Sequence, residues 1–168
     1  MAEGSEVGLA GVPQAEFRDA LARWASGVTV VTARNGGEPV GMTAASFSSL
    51  SLDPPLVLVC IAHAARSHDS LVAAPGFGVH LLGAGQDEMS RRFSQPGADK
   101  FGDYPEITGP YGVPLLPAGV ARLVCEHHAA LDGGDHTILV GRVVSTELLG
   151  DDPLLYFGRA YGRFSASP

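Results

Sequence analysis

The stretch Gly41-Met42-Thr43-Ala44-Ala45-Ser46-Phe47-Ser48-Ser49-Leu50-Ser51-Leu52-Asp53-Pro54-Pro55, followed at once by the apolar run 56–61 (Leu-Val-Leu-Val-Cys-Ile), decides how this chain folds. It sets a segment of small and hydroxyl-bearing residues between two strand-like runs, and Pro54-Pro55 forces extended, non-helical backbone just before the second. Such a segment lets a ligand approach the main chain closely. Thr43, Ser46, Ser48 and Ser49 offer hydroxyls, and the side chains between them are too small to cover backbone N–H groups. The same residues also suit a plain packed turn, and taken alone they leave both readings open.

Working outward, residues 28–33 are β-branched and strand-like, and Asn35-Gly36-Gly37 turns them into a hairpin with residues 39–46. The run 56–61 is unbroken in apolar character, which predicts a strand buried on both faces or lining a barrel interior. Residues 77–82 alternate as a further strand. The last third is also strands: 118–132, a Gly133-Gly134 turn, 136–149, then 154–157 and 161–164. Helices are few and short. One opens at Pro13, with Phe17, Leu21 and Trp24 on one stripe predicted to pack across a sheet, and ends at Gly27. A second runs from Ser67 to Ala73, and a third spans 86–93. Residues 95–117 are loop-rich in Pro and Gly and hold Lys100, the only lysine. Strands joined by hairpin-like turns, with little helix between them, predict a mainly β, antiparallel barrel.

The 168 residues fit one domain, read as 13–168, behind a tail at 1–12 expected to be disordered. A net charge of −7, with only 11 Lys and Arg scattered along the chain, argues against nucleic-acid or anionic-membrane surfaces. No run reaches the length needed to span a bilayer, and the N-terminus lacks the features of a signal peptide. Two unpaired cysteines, Cys60 and Cys125, suit a reduced, cytoplasmic setting. Cys125 and His127 share a strand face, but His128 points away and no third ligand converges, so no metal site is expected.

Two further stretches carry chemistry. Arg66-Ser67 at a helix start is either a plain cap or a phosphate seat, because free N–H groups and the positive dipole end face an anion there. Gly133-Gly134-Asp135-His136 is a good hairpin turn that also presents an imidazole at a strand start. There is no nucleophile-elbow signature and no phosphate-binding glycine loop. The residues alone describe a soluble antiparallel β domain suited to a small anionic ligand.

The series as a whole goes further. Phe17-Arg18; Gly27-Val28-Thr29-Val30-Val31-Thr32; Pro39-Val40-Gly41-Met42-Thr43-Ala44; Ser46-Phe47 with Leu50-Ser51-Leu52-Asp53-Pro54-Pro55-Leu56-Val57; Arg66-Ser67; Arg92-Phe93 with Asp99-Lys100-Phe101; Gly134-Asp135-His136; and Pro153-Leu154-Leu155-Tyr156 stand in an order that resembles the flavin reductase-like family. The resemblance covers residues 17–161.

It implies the FMN-binding split barrel, a homodimer with flavin near the subunit interface. It also implies an NAD(P)H:flavin oxidoreductase that passes hydride to FMN or FAD; NADH and NADPH both stay open, and the lack of a basic cluster for a 2′-phosphate leans to NADH. Reduced flavin would then diffuse to a partner monooxygenase. By the same resemblance, Met42, Thr43, Ala44, Ala45 and Ser46, with Ser49 beyond them, line the flavin ring and ribityl chain. The segment from Cys60 to Ser67 carries the phosphate end, with Arg66 and Ser67 as its contacts. Gly134, Asp135 and His136 face the nicotinamide, His136 being the candidate catalytic residue. Ala45 stands where family members often carry a polar residue, so a side-chain hydrogen bond to the ring is missing. Alternatives on the same fold are an enzyme that holds flavin tightly and reduces another substrate, and a non-enzymatic flavin-binding domain.

Overall fold

A computed structural model of the chain describes residues 11–97, 99–105, 107–117 and 119–166. The first ten residues of the expected tail, and Ala118 at the start of an expected strand, lie outside these. In chain order the elements are α1 (Gln14–Leu21), β1 (Ser26–Gly27), β2 (Thr29–Arg34), β3 (Pro39–Ala44), β4 (Ser48–Leu52), β5 (Pro55–Ala62), α2 (His68–Ala73), β6 (Gly76–Leu81), α3 (Asp87–Ser94), β7 (Ile107–Thr108), β8 (Pro114–Leu115), β9 (Ala121–Asp132), β10 (His136–Leu148), β11 (Leu154–Phe157) and β12 (Ala160–Arg163). Every strand pair is antiparallel.

Seven strands form one sheet in the order β3-β2-β6-β9-β10-β5-β4. In a flat sheet β3 and β5 would stand about 24 Å apart, five spacings of about 4.8 Å. Instead the chain leaving β3 meets β5: Ser46 Oγ accepts from Cys60 N at 3.1 Å and lies 3.0 Å from Cys60 O. The sheet is therefore strongly curled. Its inner face collects Val31, Ala33, Ala44, Val57, Val59, Ile61, Phe77, Val79, Cys125 and Leu139 into one core, closed by Leu71 and Ala74 of the α2 segment. A second core, on the outer face of β2, holds Val28, Val30, Leu82, Met89, Phe93, Leu116 and Leu154. β2 lies between the two cores, and its first five residues are buried.

One local expectation is decided and two change. The run 56–61 lines the curled sheet's interior and is not buried on both faces: it alternates, with Val57, Val59 and Ile61 inside and Leu56, Leu58 and Cys60 half-buried outside. β5 lies next to the edge strand β4, and among the described residues no second layer covers its outer face; the strand buried on both faces is β2. The Ser-rich stretch also contains a strand, β4, which pairs with β5 across the Asp53-Pro54 turn. Finally, α1 does not pack across the sheet. None of its residues is buried, and Phe17, Leu21 and Trp24 are 52, 55 and 76% exposed. Among the described residues it is tied at its C-terminal end, where Ala22 O accepts from Gly158 N and Asp19 pairs with Arg159.

His80, on β6, is fully buried; its Nε2 accepts from Leu116 N at 3.2 Å. Burial, with Arg122 nearby, pushes its pKa down to about 4. The native state therefore holds it neutral, while the unfolded chain protonates it near 6.5. Its contribution is complete above the unfolded pKa and is lost as pH falls toward 4. Between pH 7 and 5 the wild type is expected to lose on the order of 2 kcal/mol more stability than His80→Gln. Equilibrium urea unfolding at the two pH values checks this, and equal losses would contradict it.

Candidate functional site

A cleft of about 1080 Å³ opens beside β3. Its walls are the β3 residues 39–43, residues 64–67 between β5 and α2, the C-terminal end of α3, the segment after α3 that includes Lys100 and Phe101, and residues 114–116 around β8. β3 is the edge of its sheet, so alternate backbone groups point away from β2. Gly41 O is one of them, since it accepts from Lys100 Nζ at 2.9 Å. By strand geometry the N–H groups of Gly41 and Thr43 share that outward side.

Close packing makes this edge possible. A Cβ at Gly41 would come within 2.8 Å of the Phe93 ring, so only glycine lets α3 press this closely on β3. The two elements are also stitched by Thr43 Oγ1, which donates to Ser90 O at 2.6 Å, and Ser90 Oγ lies 2.8 Å from Tyr161 OH. Lys100 Nζ donates to Phe93 O as well, at 2.9 Å, and so fastens the segment after α3 against both. Burial lowers the Lys100 ammonium below its ordinary value. Arg66 reaches the same segment, since a Cβ on Gly97 would stand 3.5 Å from its Nη1. Among the described residues neither Arg66 nor Lys100 forms an ion pair with a carboxylate, in a chain of net charge −7. The result is a trough lined by Met42 and Phe101 and backed by the buried Phe93, with two cations that have no described carboxylate partner and with outward main-chain donors.

Of the residues singled out in the sequence, the cleft takes Met42, Thr43, Arg66 and Ser67. Ser67 does not cap α2 through its side chain: it is itself helical in φ and ψ, and its carbonyl accepts from Leu71 N. Ala44 turns into the inner core, Ala45 is exposed, and Ser46 spends its hydroxyl on Cys60. Ser49 lies exposed on β4, and Cys60 is half-buried on the outer face of β5.

Gly134, Asp135 and His136 form the β9–β10 turn, where Gly134 has φ of 78°, a conformation that favours glycine. The turn is bonded to the rim of the cleft: Asp135 O accepts from His63 N at 3.0 Å, next to Ala64. His136 Nδ1 lies 2.6 Å from Asp135 Oδ1, and this contact holds the Asp135 carboxyl below the usual carboxylate range. Behind it, His68 bridges Asp69 Oδ1 through Nδ1 and Thr137 Oγ1 through Nε2, both at 2.8 Å.

The Phe93, Phe101 and Lys100 wall carries no assigned role in the sequence reading. Its signal is there in the Asp99-Lys100-Phe101 triplet inside a long Pro- and Gly-rich connection. Cys125 is buried in the inner core, which pushes its thiol up to about 12 and leaves it unreactive. Among the described residues no three His, Cys, Asp or Glu side chains are grouped to hold a metal ion, and no helix is long and apolar enough to cross a membrane.

The flavin reductase like domain model matches residues 21–165. The chain is 46% identical over 149 residues to an FMN reductase (NADH), SmoA, from Agrobacterium fabrum, covering 89% of this chain and 85% of that one. It is also 46% identical to the reductase component of 4-hydroxyphenylacetate 3-monooxygenase from Thermus thermophilus, over 88% of this chain and 94% of the relative. Among solved structures, the Streptomyces globisporus NADH:FAD oxidoreductase, in complex with NAD and FAD fragments, superposes with a TM-score of 0.85 at 38% identity, over 93% of this chain and 98% of that one. The split-barrel reading of the sequence agrees with these neighbours, and the chain belongs to the flavin reductase like domain family.

Proposed function

We propose that this chain is an NADH-dependent flavin reductase that takes FMN or FAD as a diffusible substrate and supplies reduced flavin to a separate monooxygenase, with residues 13–168 as a single catalytic domain. The observation that carries the reading is one cleft holding the outward edge of β3 opposite two cations, Arg66 and Lys100, that no described carboxylate neutralises. A flavin needs a flat apolar slot, main-chain donors at its polar ring edge and cations for its phosphate, and these residues fit it. When bound, flavin supplies an acceptor, N5, for hydride from C4 of the nicotinamide.

The chain's own work is binding and orientation. Met42 flanks the slot, backed by the buried Phe93, and the outward N–H groups of Gly41 and Thr43 steady the negative charge that reduction places on the ring. Arg66 and Ser67 hold the phosphate. No side-chain nucleophile is involved, since Thr43 and Ser46 already spend their hydroxyls on Ser90 O and Cys60. The β9–β10 turn, bonded to the cleft rim at His63, presents His136 to the nicotinamide carboxamide. The absence of a basic cluster for a 2′-phosphate favours NADH. The exposed Phe17, Leu21 and Trp24 suit a homodimer in which α1 packs on a second copy.

His136→Ala is expected to raise the Michaelis constant for NADH roughly tenfold, the loss of about one hydrogen bond, with a smaller fall in turnover. Steady-state kinetics at saturating flavin measure the split. A collapse in turnover with an unchanged Michaelis constant would assign His136 to the chemical step instead.

A further inference from the structure

Lys100 is held in an unusual way for a lone lysine. Its Nζ donates to two main-chain carbonyls, Gly41 O and Phe93 O, each at 2.9 Å. An ammonium has three N–H donors, so one is left. The side chain is half-buried and lines the cleft, and Gly41 is the residue next to Met42 on the strand edge that faces it. The nearby acids are turned to other work: Asp99 Oδ1 accepts from Phe101 N and Gly102 N, and Asp103 pairs with Arg92. Carbonyl dipoles fix the position of the ammonium without cancelling its charge. A full positive charge thus stands in the cleft beside the β3 edge, where the flavin reading places the ring.

We infer that Lys100 tunes this cleft toward the anionic reduced form of flavin over the neutral oxidised form. The inference rests on the flavin reading above. Two-electron reduction places negative charge on the pyrimidine end of the ring once its proton is lost, and an opposite charge within roughly 4–6 Å favours the charged form by about one to three pKa units. The oxidised ring, being neutral, gains little from the same cation. Arg66, by contrast, meets a charge present in both redox states.

The test compares dissociation constants of oxidised and of anaerobically reduced FMN for wild type, Lys100→Gln and Lys100→Arg. Riboflavin, which lacks the phosphate, serves as a parallel ligand. Glutamine keeps a donor for the two carbonyls while removing the charge, and a thermal melt confirms that it folds. Expected for Lys100→Gln is about a tenfold loss for reduced flavin against twofold or less for oxidised, the same with riboflavin as with FMN, and near wild-type behaviour for Lys100→Arg. A tenfold change in that ratio lowers the two-electron potential of bound flavin by about 30 mV. Equal losses for both redox forms would overturn the inference and leave Lys100 a clamp. A loss with FMN and none with riboflavin would overturn it in favour of a phosphate contact. Wild type that binds no flavin in either form would overturn the functional reading itself.

Discussion

Arg66→Ala is expected to weaken FMN binding by roughly 10- to 100-fold while changing riboflavin binding by no more than about twofold. The guanidinium borders the segment around Gly97, has no carboxylate partner among the described residues, and lines the cleft two residues before α2. A hydrogen bond to a charged group is worth about 1.5–3 kcal/mol, and each 1.4 kcal/mol is tenfold in affinity. The effect should shrink with added salt, because the side chain is exposed and solvent screens it. Fluorescence titration of both ligands at two salt concentrations measures it. Equal losses for FMN and riboflavin would show that Arg66 shapes the cleft and does not read the phosphate.

Phe93→Ala is expected to cost about 3–5 kcal/mol of stability, the range for truncating a fully buried aromatic. For a chain of this length that corresponds to a fall of roughly 6–20 °C in the melting temperature. Phe93 is completely buried in the outer core, and its ring meets Phe101 edge-on at 5.2 Å. It also fills the space over Gly41 that any Cβ there would invade. Removing it opens a void between α3 and β3 and loosens the wall that Lys100 fastens, so flavin affinity should fall together with stability. Calorimetry of Phe93→Ala beside Phe93→Leu measures the first part. A loss under about 1 kcal/mol would mean that α3 collapses onto β3 and closes the void.

Much of this was legible in the residues. The β-branched run 28–33, the Asn35-Gly36-Gly37 turn and the Gly133-Gly134 turn state antiparallel pairing locally, through side-chain shape and glycine conformational freedom. Arg66, Ser67, Met42 and Thr43 arrive together in the cleft because a hairpin and a strand end place them there. What the sequence left unstated depends on tertiary context. Whether the alternating half of 56–61 is covered depends on a second layer outside β5, which periodicity does not report. The strand 48–52 is hidden by serines that resemble a loop, and it exists because β5 offers it a ladder. The apolar stripe of α1 promises a packing partner without naming it, and among the described residues none buries it. Lys100 is legible only as an isolated charge in a long connection; its role needs the two carbonyls that the fold brings to it.

The measurement that tests the central claim most directly is loss of NADH absorbance by the purified protein in air, without added flavin, with FMN and with FAD. The account predicts little oxidation without flavin and strong oxidation that saturates with added flavin at low micromolar concentration. Full activity of a yellow protein with no flavin added would contradict the diffusible-substrate account, and absence of oxidation under all three conditions would contradict the enzyme.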